Sequence, residues 1–258
     1  MWLPRFACPD CRTHLVETGV ERHACARCGR VFECRGGVWR FLIADVQGHR
    51  QQLSRRRIAG QRDVTDARVR RETLHHFLGH VLAAGPSRLR VLDLGAGTGW
   101  LSHRLASLGH DAVAVDTVDE EGEGLGAARA QSFVPVQADF DALPLADGQF
   151  DLVVFNRSLH YAADTVATLE RAHRALVAGG AIVVMDSPMF RVEEQGGAAS
   201  EDGAGYLTFA RLEGAAHRLA LQPKFVPSRG PLTWRLRRGV ARVRRRRAPA
   251  AFGLWVAR

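Results

Sequence analysis

The sequence predicts an α/β protein in which a doubly wound, mostly parallel sheet follows a small cysteine-rich domain. Strand-sized apolar runs alternate with helical patterns from about residue 86 onward, and this alternation is typical of βαβ units. A glycine-rich turn in VLDLGAGTGWLS (91–102) joins the first of these strands to a helix. Two Cys-x-x-Cys pairs near the N-terminus predict a metal-binding domain in residues 1–44.

The length and hydropathy of the chain limit the class of protein. A chain of 258 residues can bury one full core and carry a small additional domain. Its longest apolar runs, such as AIVVM (181–185), are strand-sized and too short to span a membrane. The N-terminus MWLPRF shows no apolar signal region. We therefore expect a cytoplasmic protein without stable membrane insertion, and the oligomeric state is left open.

The formal net charge of +9 is unevenly distributed along the chain. Residues 76–234 hold twelve basic and nineteen acidic residues, whereas RLRRGVARVRRRR (235–247) holds eight arginines. Leu236, Val240 and Val243 share one helical face of this segment, which indicates an Arg-rich helical insertion. The insertion either docks against phosphates or is a solvated segment of an arginine-rich protein.

The cysteine pairs CPDC (8–11) and CARC (25–28) have the spacing of a four-coordinate zinc site. Each Cys-x-x-Cys turn brings two sulfur atoms together, and Gly29 permits a tight turn after the second pair. A hairpin with a turn at Thr18-Gly19, followed by two strands around a Gly36-Gly37 turn, completes a predicted zinc ribbon. The predicted ligands are Cys8, Cys11, Cys25 and Cys28.

Four protein ligands leave no open coordination position, so this zinc would be structural rather than catalytic. The fifth cysteine, Cys34, is predicted to be a buried hydrophobic residue and not a ligand. A redox-active cysteine pair and cysteines that bind no metal are the alternative interpretations.

The N-terminal domain also shows a family resemblance. ACPDC, CARCGRVFECRGGVWRFL and the spacing between them resemble the zinc ribbon of the small activator subunit that partners tRNA and translation-factor methyltransferases. They are also similar to the ribbon that opens a bacterial guanine-N1 ribosomal RNA methyltransferase. The resemblance is specific for zinc and much less specific for function.

Residues 45–85 are predicted to be a helical linker that ends in the first helix of the catalytic domain, which occupies residues 86–258. Apolar residues in TLHHFLGHVL (73–82) recur at helical spacing. Gly85-Pro86 is expected to end this helix.

The glycine-rich turn lies between a buried strand, Arg90–Leu94, and an amphipathic helix that ends at Gly109. The alternate glycines Gly95, Gly97 and Gly99 leave the backbone bare, so that a ligand can approach it closely. This geometry is typical of a nucleotide-binding turn.

Two acids and one tryptophan narrow the choice of ligand. A second strand ends at Asp116, where an acid can accept hydrogen bonds from ribose hydroxyls. A dinucleotide-binding turn would carry a third glycine where this chain has Trp100. Asp93, just before the loop, favours a ligand with a cationic amino group over a pyrophosphate. S-adenosylmethionine combines such an amino group with ribose and adenine, so we predict it as the cofactor.

Further strands continue the pattern. They are predicted at Val134–Gln137, at Asp151–Phe155, after a Gly179-Gly180 turn, and in PKFVPS (223–228) and FGLWVAR (252–258), the last of them antiparallel. Asp139 is expected to accept a hydrogen bond from the adenine amino group while Phe140 lies against the ring. The predicted cofactor-binding residues are Asp93, Gly95, Gly97, Gly99, Asp116, Asp139, Phe140 and Asn156.

Residues 75–190 resemble the class I S-adenosylmethionine-dependent methyltransferases, a group that includes the ubiquinone and menaquinone C-methyltransferases. The resemblance rests on the glycine loop, Asp116 and Asp139. It implies a seven-stranded, Rossmann-like sheet and methyl transfer to an acceptor. The acidic body of the chain favours a small-molecule or lipid-like acceptor.

Two alternatives to that function remain at the level of sequence. An RNA methyltransferase would hold rRNA or tRNA with the zinc ribbon and the Arg-rich insertion. However, no Asn/Asp-Pro-Pro-aromatic motif follows the fourth strand, where amino-directed nucleic-acid methyltransferases carry it. A non-catalytic methyltransferase-like subunit is the other alternative, and the intact glycine loop and acids argue against it.

His160 and Tyr161, which follow the fourth strand, are the candidate catalytic residues. His160 is suited to deprotonating a hydroxyl or an acidic carbon, and it is equally suited to packing beside the cofactor pocket. Methyl transfer from a sulfonium is an in-line displacement that depends on positioning, so a base is optional.

Overall fold

The computed structural model describes residues 2–42, 67–83, 85–119, 124–127, 132–191, 207–230 and 250–258. The predicted Arg-rich insertion at 235–247 and most of the predicted linker at 45–85 lie outside these residues. In the described part of the chain, no helix is long and apolar enough to cross a membrane.

The N-terminal segment 2–42, which is called the N-terminal domain below after the prediction, contains four short strands. Their bounds are β1 Leu15–Gly19, β2 Arg22–Cys25, β3 Val31–Arg35 and β4 Val38–Arg40. Antiparallel pairing joins each strand to the next. The Gly36-Gly37 turn is confirmed, but the predicted turn at Thr18-Gly19 is wrong. Gly19 still pairs with Arg22, so the chain reverses two residues later, and Glu21 adopts a left-handed conformation there.

The second part of the chain alternates strands and helices. The strands are β5 Arg90–Leu94, β6 Asp111–Asp116, β7 Val134–Gln137, β8 Phe150–Asn156, β9 Leu176–Met185, β10 Met189–Phe190, β11 Leu207–Thr208, β12 Pro223–Pro227 and β13 Gly253–Ala257. The helices are α1 Ala67–Phe77, which continues as a wider turn over Leu78–Leu82, α2 Trp100–Ser107, α3 Thr165–Ala175 and α4 Phe209–Arg218. The predicted strand positions and the antiparallel C-terminal strand are confirmed.

The central sheet is mixed and larger than predicted. Its order is β1-β2-β3-β4-β7-β6-β5-β8-β9-β13-β12, which gives eleven strands in the described residues. In this order, the seven strands from β7 to β12 form the part that corresponds to the predicted sheet, and those from β7 to β9 are parallel. The N-terminal strands extend this sheet because β4 pairs in parallel with β7. The prediction of a seven-stranded sheet is therefore wrong in its count.

Strand β9 contains the predicted turn at Gly179-Gly180, but the strand begins before that turn, at Leu176. The step from Phe150 to Leu152 in β8 is two residues, whereas the step between their partners Leu176 and Ala181 is five. A Cβ on Gly180 would lie 3.0 Å from the Cβ of Leu176, so the chain turns back between these residues, and Gly179 has a φ of 78° there. The predicted turn is therefore confirmed, and it forms an irregularity within β9.

Packing and hydrogen bonds join the N-terminal domain to the larger one. Phe6, Trp39 and Phe41 belong to the same buried cluster as residues of β5 to β9. The Arg12 guanidinium donates hydrogen bonds to the carbonyls of Leu143 (2.6 Å) and Leu145 (3.2 Å). The small domain is thus held by several contacts besides the shared strand pair.

Candidate functional site

The loop after β5 contains three left-handed glycines with different surroundings. Gly95, Gly97 and Gly99 have φ values of 73°, 57° and 74°. A Cβ on Gly95 would overlap Ser158, and one on Gly99 would overlap Phe133. A Cβ on Gly97 would meet no atom within 4 Å. Protein packing therefore closes off Gly95 and Gly99, whereas Gly97 faces open space that a ligand can enter.

Asp116, at the end of β6, lies directly against this loop. Its Oδ2 accepts a hydrogen bond from the Gly97 amide (2.8 Å), and its Oδ1 accepts one from the Val118 amide (3.0 Å). Burial raises the pKa of Asp116, while these amide donors oppose the rise. Each carboxylate oxygen retains a further lone pair, so Asp116 can also accept from ribose hydroxyls.

Asp93 is buried beside the same loop, with 1% of its surface exposed. Its Oδ2 accepts a hydrogen bond from the Ser102 hydroxyl (2.9 Å), and its Oδ1 has no hydrogen-bond partner within the described residues. Burial raises the pKa of Asp93 to about 7. A nearby cation would satisfy the second oxygen and favour the ionised form.

The remaining predicted cofactor residues follow β7 and β8. Asp139 accepts a hydrogen bond from the Asp141 amide (2.7 Å) and begins the short helical turn Phe140–Ala142. The Phe140 ring lies beside the glycine loop, since its edge would be 3.7 Å from a Cβ on Gly95. The Oδ1 of Asn156 is buried and has no hydrogen-bond partner among the described residues. The eight residues thus lie at the carboxyl ends of four adjacent strands, where α/β sheets bind ligands.

His160 and Tyr161 lie in the short turn Leu159–Tyr161 that follows β8. The His160 side chain is buried, and its ring centroid is 4.1 Å from that of Tyr161. The Ser158 hydroxyl donates a hydrogen bond to the Leu94 carbonyl. This bond ties the turn with both candidate catalytic residues to the end of β5, next to the glycine loop.

Sequence reasoning missed a charged cluster at the same edge of the sheet. Asp186 follows β9 and is 4% exposed, with a φ of 54°. Burial raises the pKa of Asp186 to about 6, while a hydrogen bond from Thr73 and the charges of Arg157 and Arg70 oppose the rise. The sequence signal was an acid directly after the fifth buried strand of this part, VVMD (183–186).

The four predicted zinc ligands lie together in the N-terminal domain. Their sulfur atoms are all within 4.8 Å of one another. The Arg12 amide donates to the Cys8 carbonyl (2.9 Å), and the Gly29 amide donates to the Cys25 carbonyl (2.8 Å). Each Cys-x-x-Cys pair thus forms a tight turn that ends in a left-handed residue. Four convergent thiols of this kind fit one tetrahedral metal ion, and Cys34 lies outside the group.

Comparison with known families and proteins agrees with this geometry. Residues 92–184 match the family model described as a methyltransferase domain. An uncharacterized methyltransferase of Mycobacterium tuberculosis is 36% identical over 118 residues, which cover 44% of this chain and 48% of the relative. The malonyl-[acyl-carrier protein] O-methyltransferase of Geobacter sulfurreducens is 34% identical, with coverage of 41% and 40%. The tRNA 5-carboxymethoxyuridine methyltransferase of Escherichia coli is 29% identical, with coverage of 47% and 49%. The chain thus spans about half the length of the curated relatives it matches.

A solved structure shares the fold over a larger part of the chain. Burkholderia thailandensis 1,6-didemethyltoxoflavin-N1-methyltransferase, solved with 1,6-didemethyltoxoflavin and S-adenosylhomocysteine, has a TM-score of 0.55 and 18% identity. The match covers 93% of this chain and 99% of the other. The part of the chain that contains the glycine loop is therefore similar in sequence to methyltransferase domains, and it shares its fold with a methyltransferase that was solved with S-adenosylhomocysteine.

Proposed function

We propose that the whole chain transfers a methyl group from S-adenosylmethionine to a small-molecule or lipid-like acceptor. The arrangement of Gly97, Asp116 and Asp93 is the observation that carries this proposal. Gly97 leaves room for the ligand, Asp116 offers acceptor lone pairs for ribose, and Asp93 has an unsatisfied oxygen that suits the amino group. Asp139, Phe140 and Asn156 would hold the adenine and the methionine end from the neighbouring strands.

In the proposed reaction, the acceptor atom attacks the methyl carbon in line with the bond to sulfur. S-adenosylhomocysteine leaves, and the sulfur keeps the electron pair of the broken bond. The protein contributes mainly by positioning the two reactants and excluding water. If the acceptor is a hydroxyl or an acidic carbon, His160 would take its proton, and Tyr161 would hold the His160 ring by packing against it.

The charge of the catalytic domain supports the choice of acceptor. Residues 76–234 contain nineteen acidic and twelve basic side chains, so this part of the chain disfavours a polyanion near the reacting methyl group. One relative is a malonyl-[acyl-carrier protein] O-methyltransferase, which also supports an acceptor other than RNA.

An RNA acceptor is the second candidate, and two observations favour it. One relative is a tRNA methyltransferase, and residues 235–247 carry eight arginines. In this alternative, the N-terminal domain and the Arg-rich insertion would hold the RNA backbone.

We also propose that Cys8, Cys11, Cys25 and Cys28 hold one structural zinc ion. The convergence of their sulfur atoms and the two tight turns support this proposal. The ion would hold the N-terminal domain in its folded form and would take no part in methyl transfer.

The two acceptor classes can be separated by measuring S-adenosylhomocysteine formation. The purified protein would be incubated with S-adenosylmethionine and either a malonyl thioester series or a pool of unmodified tRNA and rRNA. We expect turnover with a member of the small-molecule series and none above background with RNA. Turnover with RNA alone would replace the first candidate by the second.

A further inference from the structure

The last strand of the N-terminal domain lies close to the predicted ribose site. In the paired register, Arg40 of β4 is opposite Gln137 of β7, and Gln137 is opposite Asp116 of β6. The three residues thus form a row across three adjacent strands. Only β7 separates the N-terminal domain from the strand that ends in Asp116.

Side chains extend this row into the loop that follows Asp116. The Arg40 guanidinium forms an ion pair with Asp119, with 2.7 Å between Nη1 and Oδ2. The amide nitrogen of Gln137 donates to Asp119 Oδ1 (2.9 Å) and to the Thr117 carbonyl (3.3 Å). Residues 117–119 are therefore held by contacts from β4 and β7.

The ion pair matters for the loop because its Asp119 end is buried. The Asp119 side chain is 6% exposed, and that of Arg40 is 37% exposed. Removing Arg40 leaves the buried carboxylate of Asp119 without its ion-pair partner, which costs more than the loss of a fully exposed pair. Without Arg40, the Asp119 carboxylate would move toward solvent. Because Val118 precedes Asp119, this movement would displace the Val118 amide, which donates to the carboxylate of Asp116.

We propose that Arg40 is a positioning residue for cofactor binding: it holds loop 117–119 and thereby orients Asp116 toward the ribose hydroxyls. This inference rests on the proposed function, since it assigns ribose recognition to Asp116. It means that the N-terminal domain contributes to cofactor affinity through one side chain.

Contacts other than the Arg40–Asp119 ion pair keep the N-terminal domain folded and attached, so the role of Arg40 can be tested separately. The Phe6 and Trp39 rings pack 4.9 Å apart, and Arg12 donates to two carbonyls of the catalytic domain. Arg40→Gln should therefore leave the N-terminal domain folded and docked. Arg35→Gln is a matched control, because Arg35 pairs with Glu33 of its own strand, β3, and its side chain is 71% exposed.

The experiment compares S-adenosylhomocysteine with its 2′,3′-dideoxy analogue by calorimetric titration. We expect the wild type to prefer the natural ligand by about tenfold or more, as for loss of a hydrogen bond to a charged group. In Arg40→Gln the affinity for the natural ligand should fall and the preference should shrink at least about threefold. Arg40→Lys, which keeps a positive charge, should restore part of the preference, and Arg35→Gln should match the wild type. Thermal unfolding and zinc content would be measured on every variant.

Each outcome bears on a different claim. If Arg40→Gln unfolds at a lower temperature but keeps the full ribose preference, Arg40 has only a structural role and the inference is overturned. A wild type that binds no S-adenosylhomocysteine would refute the proposed function and, with it, this inference. Wild-type binding with the expected preference, together with an unchanged preference in Arg40→Gln, would refute the inference alone.

Discussion

Replacing Gly97 by alanine should have two separate effects: backbone strain lowers the stability of the fold, and the added methyl group lowers the affinity for the cofactor. The added methyl group meets no protein atom within 4 Å, so the folded state loses stability only through the φ of 57°. A left-handed conformation costs a non-glycine residue about 1–2 kcal/mol. For a chain of this size, that loss lowers the midpoint of thermal unfolding by roughly 2–4 °C per kcal/mol.

Gly148→Ala is the matched control for this strain. Gly148 has a φ of 67°, its Cβ would also meet no atom within 4 Å, and it precedes β8 at the opposite end of the strand from His160. Gly99→Ala adds an overlap with the buried Phe133 ring, and overpacking of that kind costs about 1–3 kcal/mol more. We therefore expect Gly97→Ala and Gly148→Ala to lose similar stability and Gly99→Ala to lose more.

Cofactor affinity should follow a different order. The methyl group of Gly97→Ala would occupy the space that we assign to the ligand, so affinity for S-adenosylhomocysteine should fall by about tenfold or more, or about 1.4 kcal/mol. Gly148→Ala should bind as the wild type does. Urea unfolding and calorimetric titration on the same preparations give both quantities. Equal affinities for Gly97→Ala, Gly148→Ala and the wild type would refute the assignment of the open space to the cofactor.

Three further predictions address the buried acid, the metal and the Arg-rich insertion. Because the pKa of Asp93 is raised to about 7 in the free protein, ligand affinity should fall by up to about tenfold from pH 7.5 to pH 6 as the carboxyl takes up a proton. The same raised pKa makes the ligand-free protein less stable as pH rises from about 4 to 7. Asp93→Asn should remove the pH dependence of ligand affinity and that of stability. Calorimetric titration and urea unfolding at each pH would check this. Cys25→Ser should lose the zinc found by elemental analysis and loosen the N-terminal domain, while the catalytic domain stays folded; full zinc in this variant would contradict the ligand assignment. Replacing Arg244 to Arg247 by glutamine should leave turnover of a small acceptor unchanged, whereas tight RNA binding by the wild type that the variant loses in a salt series would support the RNA alternative.

Local sequence patterns predicted the strands and the cofactor loop well. Parallel strands that are buried on both faces appear in the sequence as apolar runs. For this reason β5 and β7 match the predicted bounds, and β6 ends at Asp116 as predicted. The alternate glycines predicted the left-handed loop because few other residues adopt that conformation at low cost. Asp116 was predicted from its place at a strand end, and it lies against Gly97 as that place requires.

Contacts between distant parts of the chain were not predictable in the same way. The pairing of β4 with β7 joins Arg40 to Gln137, and no local pattern specifies a pairing over such a separation. The ion pair between Arg40 and Asp119 depends on that pairing. The local pattern predicted the Gly179-Gly180 turn, but it did not predict that residues on both sides of the turn pair with β8.

The central claim is that the carboxyl edge of the sheet binds S-adenosylmethionine through Asp116 and the glycine loop. Calorimetric titration of S-adenosylmethionine into the wild type and Asp116→Ala tests it most directly. We predict one site per chain in the wild type and an affinity lower by about 1–3 kcal/mol in the variant, because the ribose hydroxyls lose a charged acceptor. Undiminished affinity in Asp116→Ala, or the absence of binding by the wild type, would contradict the claim.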